Sequence, residues 1–124
     1  MRRGIHLAIG IGIFFLYSWF IIRFRPDAGA LFLFGIVAVA AGSVLPDIVE
    51  PAITSHHRGF FHSKGVLACT LFVLVVTVLV EKDPSLLPAS SQLSFTQLWF
   101  ISSFFLGYAF HLLADSLTPA GLPG

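Results

Sequence analysis

The chain carries little charge: Asp, Glu, Lys and Arg together make up 10% of its 124 residues. An ordinary soluble domain has about 25% charged residues. The formal net charge is only +1 and no basic tract occurs, so we do not expect a nucleic-acid partner. Hydrophobic residues make up 56% of the chain and include 14 phenylalanines. This composition predicts that the solvent of the protein is a lipid bilayer.

Cysteine is also scarce. Cys69 is the only cysteine, which excludes an internal disulfide and leaves the redox compartment undetermined. Because Cys69 lies inside an apolar run, we expect it to be a small buried residue. The sequence shows no internal repeat, low-complexity tract or second domain, so residues 1–124 are predicted to form a single domain.

Four apolar runs account for most of the chain: 4–22, 28–45, 65–80 and 98–114. A membrane-spanning helix needs about 20 predominantly apolar residues, so each run is predicted to cross the bilayer once. The third run is short, so we expect either that flanking residues extend it or that the bilayer around the protein is slightly thin. Pro46 is predicted to end the second helix, because proline has no amide hydrogen and clashes with the preceding turn. The predicted fold class is all-α, an integral membrane bundle of four transmembrane helices.

Four crossings place both chain ends on one side of the membrane. Positive residues on that side are Arg2, Arg3, Arg58 and Lys64. Those on the opposite side are Arg23, Arg25 and Lys82. The excess on the first side predicts cytoplasmic termini. At the opposite interface, Tyr17, Trp19 and Trp99 are predicted to act as aromatic anchors.

The histidines all lie at the membrane face that carries the chain ends: His6, His56, His57, His62 and His111. The acidic residues divide evenly between the two faces. The acids at the histidine face are Asp47, Glu50 and Asp115. Those in the opposite turns are Asp27, Glu81 and Asp83. Ionisable residues within a membrane are costly and mark functional sites by default, so the histidine face is the candidate site.

Two spacings suggest a metal site at this face. His111 and Asp115 are one helical turn apart and share a helix face, and an imidazole with a carboxylate is a workable pair of metal ligands. His57 and His62 do not share a helix face. We interpret them as two loop ligands, or as one ligand and one residue that supports it. Residues 55–65 are therefore predicted to form a metal-site loop over the end of the bundle.

Other interpretations of the same residues stay open. His6 can be a polar side chain that reaches the headgroup region, and His56 an exposed loop residue. Arg58 can meet anionic lipid headgroups. His111 and Asp115 can form a hydrogen-bonded cluster between helices without any metal.

Three segments resemble the YdjM-like family of membrane-bound, metal-dependent hydrolases: LPDIVEP (45–51), HRGFFHS (57–63) and GYAFHLLADSLTPAGLP (107–123). Together with an early histidine, they follow the order of the family's motifs along essentially the whole chain. The family is distantly similar to zinc-dependent phospholipase C and related single-strand nucleases. Those proteins are helical enzymes with metal clusters of His and Asp.

The resemblance implies five metal ligands: His6, Asp47, His62, His111 and Asp115. It makes His57 a ligand or a supporting residue, and it places Arg58 to meet a phosphate, whose oxygens suit a guanidinium fork. His57 or Glu50 would then move a proton, and Asp115 would bridge two metals. Two positions depart from the family pattern. Val49 stands where many relatives have a second aspartate, and Phe61 stands where threonine is common.

The first functional hypothesis is hydrolysis of phosphoesters in a lipid or another membrane-proximal substrate, with one or two Zn²⁺ or other divalent transition-metal ions. The alternative is a non-catalytic membrane protein whose helix ends are held by a structural metal or a hydrogen-bonded His/Asp cluster. A third hypothesis, a metal or proton carrier, needs polar residues through the bilayer, and we expect few in the half away from the histidines. We expect a multi-pass protein of the cell (inner) membrane, with lipids as partners; a homo-oligomer stays open.

Overall fold

A computed structural model describes residues 3–22, 28–50, 59–88, 90 and 93–118. It contains four long helices: α1 (Arg3–Ile22), α2 (Ala28–Val49), α3 (Lys64–Lys82) and α4 (Phe95–Ser116). Two short 3₁₀ turns occupy Phe60–His62 and Pro84–Leu86, and the described residues contain no strand. Each long helix is long and apolar enough to cross a membrane. The predicted all-α bundle of four transmembrane helices is therefore confirmed.

Helix α4 is the centre of the bundle and packs against the other three helices. Of its span, 61% is buried inside the protein, against 22% for α1 and 22% for α3. Small residues allow this packing, because helices in lipid associate through close backbone contact. A Cβ atom on Gly107 would overlap the carbonyl oxygen of Val39, and one on Gly42 would overlap the carbonyl oxygen of Phe104. The α2–α4 contact therefore requires glycine on both helices.

Helix α3 lies at the edge of the bundle, and only one of its faces is buried. Thr70 and Thr77, two helical turns apart, are buried, and each hydroxyl donates a hydrogen bond to a carbonyl of its own helix. Cys69 precedes Thr70 and is exposed on the outer face. The expectation that Cys69 is buried was wrong, because an apolar run in a membrane helix has a lipid-facing side as well as a packed one.

Pro46 does not end the second helix. Helix α2 continues to Val49, and the Glu50 N–H donates to the Pro46 carbonyl at 2.9 Å. Proline removes only its own bond to the carbonyl four residues earlier, and proline is tolerated in transmembrane helices because neighbouring groups compensate. As a result, Asp47 belongs to the last turn of α2. The expected boundary at residue 45 placed it after the helix.

The aromatic residues predicted as interfacial anchors differ in burial, and Trp99 faces the interior rather than the membrane surface. Trp19 is 64% exposed, but Trp99 is 0% exposed. The Trp99 indole Nε1 donates to the Leu31 carbonyl at 2.6 Å, and its ring stacks on Tyr17 with centroids 5.0 Å apart. An indole can be buried once its N–H has an acceptor. Here the acceptor is a carbonyl of the adjacent α2.

In the half of the bundle away from the histidines, one acidic residue lies elsewhere than expected. Glu81 was placed in the turn after the third helix. It lies instead in the last turn of α3 and is buried at 8% exposure. The Tyr17 hydroxyl lies 2.7 Å from Glu81 Oε2 and 2.6 Å from Ser102 Oγ. The placement of Glu81 in the turn was therefore wrong, because α3 is longer than its purely apolar run.

We predict that Gly107→Ala destabilises the bundle, because the new methyl group forces α2 and α4 apart. Overpacking of this kind typically costs about 1–3 kcal/mol, and we expect a melting temperature several degrees lower in detergent. Gly12→Ala is the matched control, since nothing lies within 4 Å of its added Cβ atom. Equal melting temperatures for the two variants would contradict the close α2–α4 contact.

Candidate metal centre

Four elements bring His and Asp side chains together at one end of the bundle. The members are His6 in α1, Asp47 in α2, His62 in the 3₁₀ turn, and His111 and Asp115 in α4. None of the five is more than 6% exposed. Their contacts place the beginning of α1 beside the end of α4, so both of these helix ends lie at the same face. The structure thus gathers the five residues that the resemblance implied as ligands.

The hydrogen bonds of two histidines determine which ring nitrogens carry hydrogen. His111 Nδ1 lies 2.7 Å from the Ser43 carbonyl oxygen. A carbonyl only accepts, so Nδ1 carries a hydrogen, and in the neutral ring Nε2 then presents a lone pair. His62 Nδ1 lies 2.8 Å from Glu50 Oε2, and its N–H donates to that carboxylate. Both imidazoles therefore turn Nε2 toward the interior of the cluster.

Two histidine nitrogens lie close together, and each of two aspartates places a carboxylate oxygen near both of them. His62 Nε2 and His111 Nε2 are 3.2 Å apart, a contact that two lone pairs favour only with a proton or metal ion between them. Asp47 Oδ1 lies 3.5 Å from the His62 nitrogen and 3.7 Å from the His111 nitrogen. Asp115 Oδ2 lies 3.8 and 3.6 Å from the same two atoms. Ligands at about 2.0–2.1 Å from a tetrahedral Zn²⁺ would be about 3.3 Å apart, so the spacing suits a metal ion.

His6 belongs to a second possible group of metal ligands, which shares His111 with the first group. The two rings stack with centroids 3.9 Å apart, and His6 Nε2 lies 3.3 Å from Asp115 Oδ1. Neither ring nitrogen of His6 makes a hydrogen bond within the described residues. A buried polar atom without such a bond is costly. Two sets of ligand atoms, His6 with His111 and Asp115, and Asp47 with His62 and His111, could each hold a metal ion.

Glu50 holds the 3₁₀ turn in place. Its Oε1 accepts from the Phe61 N–H at 3.1 Å, and the Tyr108 hydroxyl donates to the Phe61 carbonyl at 3.0 Å. Burial of the Glu50 carboxyl acts to raise its pKa, but the hydrogen bonds from His62 and the Phe61 N–H outweigh burial and hold the pKa below its ordinary value. A lowered pKa means that this pairing stabilises the fold at neutral pH and is lost as the solution is acidified through the folded-state value.

Some predicted site residues have no described position. His56, His57 and Arg58 lie outside the described residues, so their roles stay predictions. The Ser43 carbonyl was not anticipated from the sequence as the partner of His111. The neighbouring Gly42 was a signal for it, because a small residue marks the place where another helix comes close enough for such a bond.

Four membrane-spanning helices with a buried His/Asp cluster at one end define a multi-pass α-helical membrane protein with a candidate metal centre. The profile of the YdjM inner membrane protein family matches residues 1–123, and the chain belongs to that family. The family resemblance found in the three motifs is thereby confirmed. No curated protein and no solved structure matches the chain.

We predict that protein purified without chelators or a histidine tag contains at least about one transition-metal ion per chain, since a single tetrahedral site already uses four ligands. His111→Ala should lose it, because both ligand groups include His111. Glu50→Gln should bind more weakly by about 10–100-fold, the usual effect of removing a carboxylate that orients a ligating histidine. Elemental analysis and a metal-competition titration measure these effects.

Asp83→Asn is the matched control for charge removal. Asp83 is exposed at the opposite end of α3, where it accepts from the Ser85 N–H and hydroxyl. It should keep the metal content and affinity of the wild type. A folded, metal-free wild type, or equal loss of metal in Asp83→Asn and Glu50→Gln, would contradict the predicted site.

Proposed function

We propose that the chain is a membrane-bound, metal-dependent hydrolase that cleaves phosphoester bonds in a lipid or another membrane-proximal substrate. The observation that carries this proposal is the convergence of His62 Nε2 and His111 Nε2 with two aspartates inside the end of the bundle. The likeness to zinc-dependent phospholipase C rests on the motif resemblance and supplies the reaction class.

The donor set suits a divalent transition metal. Neutral imidazole nitrogens and carboxylate oxygens fit Zn²⁺, and they also accept Mn²⁺, Fe²⁺ or Ni²⁺. Either His62, His111 and Asp47, or His6, His111 and Asp115, would hold an ion. His111 would ligate only one ion at a time, because its Nδ1 is bound to the Ser43 carbonyl and Nε2 has a single lone pair. A bound metal of this kind lowers the pKa of a water molecule toward about 7 and polarises a phosphoryl oxygen.

The protein orients the two histidine ligands and keeps them away from water. Glu50 and the Ser43 carbonyl each hold the Nδ1–H of a histidine, and so they aim the two Nε2 atoms. The Glu50 side chain is 16% exposed, more than the 9% of Asp47 and the 2% of Asp115. We place the substrate approach on the Glu50 side for that reason. His57 and Arg58 follow Glu50 in the chain and are proposed to move a proton and to bind a phosphate oxygen.

We expect Asp115→Asn to abolish phosphoester hydrolysis while the bundle stays folded. The amide keeps the size of the side chain but removes the anion that attracts a cation, and packing of helices in lipid does not depend on one carboxylate at the helix end. Metal content, melting temperature and hydrolysis of phospholipids and chromogenic phosphodiesters should be measured together. Asp83→Asn again serves as the control with wild-type activity.

The alternative function is structural, and the deep burial of the cluster favours it. In that case the metal or a hydrogen-bonded His/Asp cluster fastens the helix ends, and ligand binding adds to folding stability. A closed four-ligand site indicates a structural metal, whereas an open coordination position indicates catalysis. Four results together would replace the enzyme proposal with this one. The wild type would have full metal content, a closed coordination sphere by X-ray absorption and no hydrolysis, and the variants would only melt at a lower temperature.

We propose further that both termini face the cytoplasm. The His6–Asp115 contact joins the start of α1 to the end of α4, so these two helix ends share a side whichever way the bundle is inserted. In a Cys69→Ala background, Lys64→Cys should react with a membrane-impermeant thiol reagent only after the cytoplasmic side is made accessible. Ser90→Cys should react from the outside. The reverse pattern would invert the proposed orientation.

A further inference from the structure

A second buried polar group lies at the opposite end of the bundle from the metal centre. It joins three helices through Tyr17 of α1, Glu81 of α3 and Ser102 of α4. Glu81 is 8% exposed and Ser102 is 0% exposed. The Tyr17 hydroxyl lies 2.7 Å from Glu81 Oε2 and 2.6 Å from Ser102 Oγ, and Ser102 Oγ lies 2.7 Å from Glu81 Oε1. The three side chains therefore form a closed ring of oxygen contacts.

No cation compensates the Glu81 carboxyl within the described part of the chain. Lys82 and Asp83 follow Glu81 but are exposed. Helix α1 contributes Tyr17 to this region, and the adjoining parts of α2 and α4 contribute the apolar Leu31 and Trp99. An ionised carboxylate buried in a membrane protein without a partner cation is expensive. The surroundings therefore favour a neutral carboxyl group.

Counting hydrogens leads to the same conclusion. Oxygen–oxygen hydrogen bonds are usually about 2.7–2.8 Å long, so each of the three ring contacts needs one hydrogen. Tyr17 and Ser102 supply one hydrogen each. If Glu81 were ionised, only two hydrogens would be present for three contacts. One pair of oxygens would then lie in contact with no hydrogen between them. The Ser102 hydroxyl also lies 3.1 Å from the Trp99 carbonyl. If Ser102 donated its hydrogen to that carbonyl, the three ring contacts would have one hydrogen fewer.

We propose that Glu81 is a proton-binding site, and that the bound proton supplies the third hydrogen of the ring. Glu81 donates to Tyr17, Tyr17 donates to Ser102, and Ser102 donates back to the other carboxyl oxygen of Glu81. The proton thereby links α1, α3 and α4 at this end of the bundle. Its release leaves an anion in an apolar interior and removes one of three hydrogen bonds. This site does not depend on a metal at the other end.

Infrared spectroscopy of protein labelled with isotopic glutamate tests the proposal. The chain has only two glutamates, Glu50 and Glu81, and a protonated carboxyl group gives a C=O band well apart from the carboxylate bands. At neutral pH the wild type should show one protonated and one ionised glutamate. Glu50→Gln should keep the protonated band, and Glu81→Gln should lose it. Tyr17→Phe should keep the band but shift it, because a hydrogen-bond partner is removed.

Glu81→Gln is chosen because its amide group both donates and accepts, so the ring can still close and the melting temperature should stay within a few degrees of the wild type. Should this variant fail to fold, Glu50→Gln still isolates Glu81 as the only glutamate. The proposal would be overturned if the wild type and Glu50→Gln showed carboxylate bands and no protonated band at neutral pH. A protonated band that survives in Glu81→Gln would also overturn it.

Discussion

The hydrogen bond from His111 Nδ1 to the Ser43 carbonyl connects the packing of this protein to its candidate site. It spans 2.7 Å across the α2–α4 contact, and that contact is close because Gly42 and Gly107 leave no side chain between the backbones. The bond determines which nitrogen of His111 carries hydrogen, and so it turns Nε2 toward His62 and the aspartates. Loosening the helix contact would therefore change the site without touching any ligand.

The bilayer explains why the polar residues occur in two separate groups. Charge inside a membrane protein must be paired, neutralised or placed near water. At the histidine end, aspartates and imidazoles form two overlapping groups that could each hold a metal ion. At the other end, the partners of Glu81 among the described residues are the hydroxyl groups of Tyr17 and Ser102, and in our proposal a proton takes the place of the cation. Helix α4 belongs to both groups, since it carries His111 and Asp115 as well as Ser102.

Much of the architecture was predictable from the sequence, because apolar length is a direct requirement of the bilayer. Four runs and the one-sided histidines were enough to place His6, His62 and His111 at one face. The errors concern residues whose environment depends on a neighbouring helix. Pro46 continues α2 rather than ending it, and Trp99 is buried because the Leu31 carbonyl is close enough to accept from it. A single sequence does not show which helix supplies such a partner.

Glu50 has a structural role at the candidate site. Its carboxylate holds both the His62 ring and the Phe61 N–H, so it fixes the turn that delivers His62 to the cluster. The same hydrogen bonds keep the pKa of Glu50 below its ordinary value, and a carboxylate with a low pKa is a poor proton acceptor at neutral pH. Glu50 is therefore better suited to orienting His62 than to moving a proton. If the site is catalytic, we propose that His57, which follows Glu50 in the chain, moves the proton instead.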